Sequence, residues 1–424
     1  MLSTLKNAWR IPEIRKKMIF TLLMLLVFRL GSAIPVPYMN KDIIASFFSG
    51  AEGGIFQLLD LISGGNMSNF SIFATGIGPY ITASIVIQLL TIAIPSLEEL
   101  AKEGEEGRKK INRYTRYAAI ALALIQAIGF TFGLFKPALE AGGMLQQSIV
   151  IISMVAGTAF LMWLGDLITE KGIGNGISLI IFVGIISRLP SSVFNMIKLA
   201  MIGKLNIVKL LIFGVVFLGI ITVVVALQEA ERRVVVQYAK RVVGRKMYGG
   251  QSTHIPIKVS MAGVMPVIFA SSLLALPQTI ALFSKGGVST FITKYLTPQG
   301  SVGIWIYSIL NVVLIMFFTY FYTAIQFNTV EYAKNLQQNG GFIPGIRPGR
   351  PTSDYLTKVV NRIVFVGGLS LAVLTLLPII LSKIFDMNIS FGGTAIIIVV
   401  GVALETVKQI EAQMLMRHYK GFLK

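Results

Sequence analysis

The chain has no cysteine and only two histidines, His254 and His418, among its 424 residues. Without cysteine it can form no disulfide, thiolate metal site or cysteine nucleophile. Two histidines are too few for a histidine-rich metal centre. A Gly-Lys-Ser/Thr phosphate-binding motif is also absent from the sequence, so energy from a nucleotide would have to come through a partner. The sequence therefore implies no metal and no cofactor.

Charged residues are scarce at 13%, whereas hydrophobic residues make up 54% of the chain. The mean hydropathy is +0.74. About 20 consecutive apolar residues are needed to cross a bilayer as a helix. The sequence predicts ten such spans, over 18–37, 72–94, 116–135, 148–166, 173–189, 208–228, 260–283, 302–328, 363–382 and 391–410.

The few charges are unevenly placed: 38 Lys and Arg oppose 19 Asp and Glu. If the N-terminus is cytoplasmic, 28 of these 38 cations lie in cytoplasmic segments and 9 in external ones. The remaining cation, Arg29, lies within the first span, where it either snorkels to the interface or faces a polar interior. The positive-inside rule therefore predicts cytoplasmic N- and C-termini, with the basic N-terminal region leading into an uncleaved first span.

The spans divide into two halves, 1–205 and 206–424, with five spans each. Each half has a long cytoplasmic loop, at 96–115 between its second and third spans and at 328–361 between its third and fourth spans. Matched halves suggest an inverted repeat with the working pathway between them. Spacing alone agrees equally well with coincidence in a ten-span chain.

A short apolar segment, Gly54–Gly65, lies between the first two spans. Its apolar part has about nine residues, too few to cross a bilayer. Ser63-Gly64-Gly65 is a helix-stop signal, because glycine adopts the left-handed conformation readily. The next span begins at a flexible Gly76-Ile77-Gly78-Pro79. The segment is either a re-entrant helix buried in protein or an amphipathic helix at the external interface.

Two cytoplasmic loops, 229–259 and 328–361, are too long to be simple connectors, and ordered loops of this length usually carry function. In the second loop Arg347 lies between Gly345-Ile346 and Pro348-Gly349. That turn chemistry predicts a rigid backbone that holds the basic side chain outward. The plainer interpretation is that these cations only orient the chain in the membrane, which explains the charge but not the length.

Two other function classes make predictions that the spans do not meet. A secondary solute transporter predicts carboxylates near the middle of the membrane, but Asp166, Glu229, Glu331 and Glu405 fall near span ends. An intramembrane enzyme predicts paired carboxylates, a Ser–His pair or a metal triad, and the spans contain neither paired carboxylates nor histidine. We therefore do not expect an enzyme.

Five motifs make the chain resemble the SecY family, the central subunits of protein-conducting channels. In sequence order they are Ile77–Ile85, Arg108–Tyr117, Met162–Ser178, Gln251–Pro256 and Pro344–Gly349. The resemblance covers essentially the whole chain. It implies an all-α integral membrane protein with ten transmembrane helices in two inverted five-helix halves around an hourglass pore.

The resemblance also implies which residues close the pore. The constriction ring would consist of Ile77, Ile81, Ile181, Ile268 and Ile398. A short re-entrant plug helix would lie at about 55–65, with the side chains of Ile55, Phe56, Leu58, Leu59, Asp60, Leu61 and Ile62. Because a charge is unusual in the middle of such a segment, we expect Asp60 to face the external funnel.

Further expectations from the resemblance concern the gate and the partners. A lateral gate toward lipid would lie between the second and third spans on one side and the seventh and eighth on the other, with Gln88 and Gln126 as polar candidates. Arg241, Arg245, Lys246 and Arg347 would dock a SecA motor or the RNA of a ribosome. Small subunits resembling SecE and SecG, signal sequences, nascent polypeptides and lipids complete the partners. The implied function is to pass unfolded polypeptides across the bacterial cytoplasmic membrane and to release hydrophobic segments sideways into it.

Overall fold

The computed structural model describes residues 2–49, 60, 63–139, 143–202, 207–238, 241–243, 246–248, 252–283, 287–297, 303–385 and 393–421. Of the residues expected to act, Arg245 and every plug residue except Asp60 lie outside these ranges.

Every one of the ten predicted spans contains a helix. In chain order the helices are α1 (Leu2–Arg10), α2 (Pro12–Gly31), α3 (Lys41–Ser49), α4 (Gly78–Ala93), α5 (Pro95–Lys102), α6 (Glu105–Gly129), α7 (Met144–Lys171), α8 (Gly176–Met201), α9 (Ile207–Glu229), α10 (Met265–Phe283), α11 (Gly287–Tyr295), α12 (Gly303–Gln326), α13 (Thr329–Gln338), α14 (Arg350–Phe385) and α15 (Gly393–Gly421). A π-helical turn, Phe130–Leu134, continues α6, and a 3₁₀ turn follows at Lys136–Ala138.

By length and composition, four helical stretches in the described part of the chain can cross a membrane: Glu105–Gly133, Met144–Lys171, Gly303–Gln338 and Arg350–Pro378. The pair α4 and α5 makes a fifth if it is counted as one span, although it bends by 100°. Pro95 explains the bend, since proline disfavours the helical conformation of the residue before it. Ile94 is accordingly extended, with φ −110° and ψ 114°.

Arg29 lies in the last turn of α2 with its side chain exposed. Leu26 and Leu30 on the same helix are also exposed on the outer surface of the bundle. Of the two interpretations of this cation, the structure therefore favours the one in which it snorkels toward the interface.

The central core is a single cluster of buried aliphatic and aromatic side chains contributed by α2, α4, α7 to α10, α12, α14 and α15. At one crossing in this core, two backbone segments approach each other closely. Gly157 of α7 lies so near the carbonyl oxygen of Ile72 that an added Cβ would come within 1.9 Å of it. Glycine is therefore required at this crossing, because any larger residue would force the two backbones apart.

The two long loops, 229–259 and 328–361, are joined by a small antiparallel sheet that we did not predict from the sequence. Strand β1 (Glu231–Tyr238) pairs along its length with β4 (Ser252–Lys258), and its end pairs with β5 (Gly341–Phe342). A short hairpin of β2 (Arg241–Val243) and β3 (Lys246–Tyr248) lies between β1 and β4 in the chain. A second core forms beneath the sheet from buried residues of both loops and the start of α14, including Val236, Leu336 and Leu356.

Candidate functional site

The five isoleucines expected to form a ring are all buried, each at most 8% exposed, and belong to one cluster. Ile77 precedes the first residue of α4, and Ile81 lies one turn further along. Ile181, Ile268 and Ile398 come from α8, α10 and α15. Four helices from both halves of the chain thus bring aliphatic side chains together at the centre. Ile396 and Ile397 are buried in the same cluster, so burial does not distinguish Ile398 from its neighbours.

The segment that follows Asp60 lies against this cluster. Ser63, Gly64 and Asn66 line a small cavity together with Ile77 and Ile181. Gly64 and Gly65 have φ of +70° and +91°, which confirms the helix-stop signal. The amide of Gly65 donates to the carbonyl oxygen of Asp60 at 2.8 Å, as expected where a left-handed residue ends a helical turn.

The expectation that Asp60 faces the external funnel is wrong. Its side chain is only 2% exposed, and its carboxylate forms an ion pair with Arg188 of α8. The amides of Met67 and Ser68 donate to one of its oxygens at 3.1 and 2.8 Å. A buried charge is tolerated when it is paired and hydrogen-bonded, and these groups satisfy both needs. The sequence feature that could have indicated a counter-ion for Asp60 is Arg188 itself, a lone cation seven residues after Ile181.

A crevice of about 60 Å³ opens where α4 and the end of α6 meet α10. Gln126 and Phe130 line it from one side, and Ser272 and Thr279 line it from the other. Ser63 and Met67, from the segment after Asp60, form part of its wall. Gln126 therefore lies where the second, third and seventh spans meet.

Gln88 is not among the residues lining this crevice. Its side-chain amide donates to the Ser84 hydroxyl at 3.2 Å. Its carbonyl oxygen is buried without a hydrogen-bond partner in the described part of the chain. The two glutamines thus occupy different environments.

The carboxylate of Asp166, near the end of its span, is bound to a local partner. Arg116 of α6 lies 2.7 Å from it in an ion pair that joins α6 to α7. A carboxylate engaged in this way links two helices.

Arg347 projects from the loop 328–361 as expected, with an exposed side chain. Its own carbonyl oxygen accepts from the Thr352 hydroxyl at 2.8 Å, and the neighbouring Ile346 packs on the buried core below the sheet. Gly345 and Gly349, with φ of +80° and +96°, form the turn on either side. Arg241 is the first residue of β2, and Lys246 is the first residue of β3.

The family model for SecY matches residues 71–407. The chain is 48% identical over 438 residues to the protein translocase subunit SecY of Halalkalibacterium halodurans, and the match covers 100% of each chain. The chain belongs to the SecY family. A member of this family is the channel subunit of a protein translocase and a multi-pass membrane protein, and the apolar helices agree with this.

Solved structures agree at the level of the fold. One, described as showing that the plug domain of the SecY protein stabilises the closed state of the translocation channel and maintains a membrane seal, is 18% identical with a TM-score of 0.66. It covers 95% of this chain and 92% of that chain. Sec61 in the canine ribosome–channel complex from the endoplasmic reticulum is 18% identical with a TM-score of 0.63, covering 95% and 93%. This SecY-family chain thus has the fold of known protein-conducting channels.

Proposed function

We propose that the five isoleucines form the seal through which polypeptides pass. Their common burial, with side chains from four helices in one cluster, supports this proposal more than any other observation. A narrow aliphatic constriction excludes water and ions by dewetting. It offers no hydrogen bonds, so it does not select among the side chains that cross it. A channel for unfolded polypeptides needs that indifference.

The segment around Asp60 serves as a second barrier on the external side, and its approach to Ile77 and Ile181 supports this role. The two halves, 1–205 and 206–424, surround the pathway as inverted repeats. The junction of α4 and α6 with α10 is the lateral gate, with Gln126 in its crevice. A hydrophobic segment leaves through it because burying apolar surface in lipid is favourable, at about 25 cal/mol per Å².

The cytoplasmic face docks a SecA-type motor and the ribosome through Arg241, Arg245, Lys246 and Arg347. Exposed cations suit the phosphates of ribosomal RNA, with an affinity that falls as salt rises. SecE-like and SecG-like subunits complete the channel in the bacterial cytoplasmic membrane, with both termini of this chain in the cytoplasm. The exposed Arg347 on its anchored turn supports the docking role.

Crosslinking tests the ring directly, because the chain has no native cysteine. Single substitutions Ile81→Cys, Ile181→Cys and Ile268→Cys are combined with a stalled secretory polypeptide that carries one cysteine. We expect a disulfide to form at each ring position. Leu218→Cys is the matched control, since Leu218 of α9 is 65% exposed on the outer surface and should not react. If an engaged polypeptide crosslinks to none of the three ring positions, the seal lies elsewhere.

A further inference from the structure

The ion pair between Asp60 and Arg188 joins two parts of the channel that have to separate if the barrier moves. Asp60 belongs to the segment proposed as the external barrier, whereas Arg188 belongs to α8, which also carries Ile181. The Asp60 side chain is 2% exposed, and that of Arg188 is 32% exposed. The acid is therefore buried, while its counter-ion reaches solvent on one side.

Two further contacts hold the same two parts together. The Arg188 guanidinium donates to the Ser68 hydroxyl at 2.5 Å. The backbone of Gly64 lies against that of Gly184, so that an added Cβ at Gly184 would come within 2.8 Å of the Gly64 Cα. A side chain at either glycine would therefore push the segment away from α8.

The two contact residues of α8, Gly184 and Arg188, lie on the same helix face as the ring residue Ile181. Ile181, Gly184 and Arg188 are at positions i, i+3 and i+7, so they lie one above another. The rise of about 1.5 Å per residue puts Arg188 about 10 Å beyond Ile181 along the axis. A single stripe of α8 thus presents the ring residue, a contact glycine and the cation toward the channel interior.

We propose that Asp60 and Arg188 form an electrostatic latch that holds the external barrier on α8 in the idle channel. This inference rests on the channel function proposed above and assigns the residues that set the ease of opening. Separation of the segment from α8 breaks the pair, so the latch favours the closed state. Because α8 also bears Ile181, the latch couples release of the barrier to movement at the ring.

The two partners are not equivalent, and this asymmetry gives a sharp test. Arg188→Gln leaves the Asp60 carboxylate buried without its counter-ion, which is strongly unfavourable. Asp60→Asn keeps an oxygen that accepts from the Met67 and Ser68 amides, and it leaves a cation that solvent already reaches. The closed state should therefore suffer more from Arg188→Gln than from Asp60→Asn. The double variant should recover, because it no longer buries an unpaired charge.

The measurement is anion efflux from proteoliposomes that contain the complete translocase without substrate. We expect idle efflux to rise at least about tenfold with Arg188→Gln, on the order expected from loss of a buried pair, and about threefold with Asp60→Asn. The double variant should return to the level of Asp60→Asn, and Arg188→Lys should stay near the parent. Lys198→Gln on α8 and Asp42→Asn on α3 are controls, since both residues are exposed.

A second arm leaves both charges in place. Gly184→Ala should raise efflux by separating the segment from α8, whereas Gly219→Ala should not, because no atom lies within 4 Å of the added Cβ there. Unchanged efflux in Arg188→Gln, or efflux from the double variant no lower than that of Arg188→Gln, would overturn the latch.

Two further results distinguish loss of the latch from a defect in assembly and from failure of the proposed channel function. If Arg188→Gln does not assemble, the latch predicts that adding Asp60→Asn restores assembly, and failure of the double variant to assemble refutes it. Translocation of a secretory precursor is measured in the same vesicles. If the parent protein translocates the precursor while the efflux of Arg188→Gln stays unchanged, only the latch is refuted. If the parent protein does not translocate the precursor, the proposed function is refuted.

Discussion

At the scale of single residues, the charged side chains of this channel divide by what surrounds them. Asp60 and Asp166 are each bound to an arginine on a neighbouring helix or segment. Arg347 is exposed, and its turn is held by a hydrogen bond to its backbone carbonyl. A paired charge acts on structure, whereas an exposed cation on a fixed turn is available to a partner.

Arg347→Glu should therefore impair translocation by about tenfold or more without reducing the amount of folded protein. The reason is that the substitution reverses an exposed charge at the proposed docking surface and leaves the buried core below the sheet unchanged. The measurement is precursor translocation into inverted vesicles, normalised to the abundance of the channel.

Lys334→Glu is the matched control for that experiment, because Lys334 is an exposed cation on the neighbouring helix α13. Translocation should be unaffected by it. A loss of abundance with Arg347→Glu would instead mean that the residue stabilises the loop.

At the scale of elements, the sheet that joins the two long loops is the feature with the clearest alternation of buried and exposed side chains. Along β1, Val234 and Val236 are buried, whereas Val235 between them is 41% exposed. Successive side chains of a strand point to opposite faces. One face of β1 thus covers the core that both loops share, and the loops form one folded unit.

Val236→Asp should unfold this unit, because it places an unpaired charge in the core, at a cost of about 3 kcal/mol or more. We expect trypsin to cut rapidly within 229–259 and 328–361. Val235→Asp makes the same chemical change on the exposed face and should leave the cleavage rate nearly unchanged. Equal cleavage of the two variants would show that the sheet does not protect the loops.

At the scale of the whole molecule, the distribution of charge predicts how the chain lies in the membrane. The cytoplasmic segments are expected to hold 28 of the 38 cations. Because short loops rich in Lys and Arg remain in the cytoplasm, the sheet unit should face the cytoplasm and α3 the opposite side.

Single cysteines test this orientation in a chain that has none. Asp42→Cys on α3 should react with a membrane-impermeant maleimide in spheroplasts, whereas Lys334→Cys on α13 should react only in inverted vesicles. Both residues are exposed, so access to the reagent should depend on the side of the membrane alone. The reverse pattern would invert the topology.

The local features of the fold could be predicted from the sequence because they depend on neighbouring residues. Runs of apolar residues gave helices within all ten predicted spans, and Ser63-Gly64-Gly65 gave a helix stop with positive φ. Arg347 is exposed because glycine and proline in its own turn fix the backbone. The sheet that joins the two long loops escaped prediction, because β1 pairs with β4 across an intervening hairpin and with β5 about a hundred residues away, and no local pattern records these pairings.

The sequence by itself determined the membrane class of this protein, since about 20 apolar residues cross a bilayer wherever they occur in a chain. Its motifs also indicated the family. Only the tertiary structure decided whether the side chain of Asp60 is buried or exposed. From the sequence it was a charge in an apolar segment, for which we expected contact with solvent, and its partner Arg188 lies 128 residues further along the chain. Burial of a charge depends on which donors the fold brings to it, and only the fold joined these two residues.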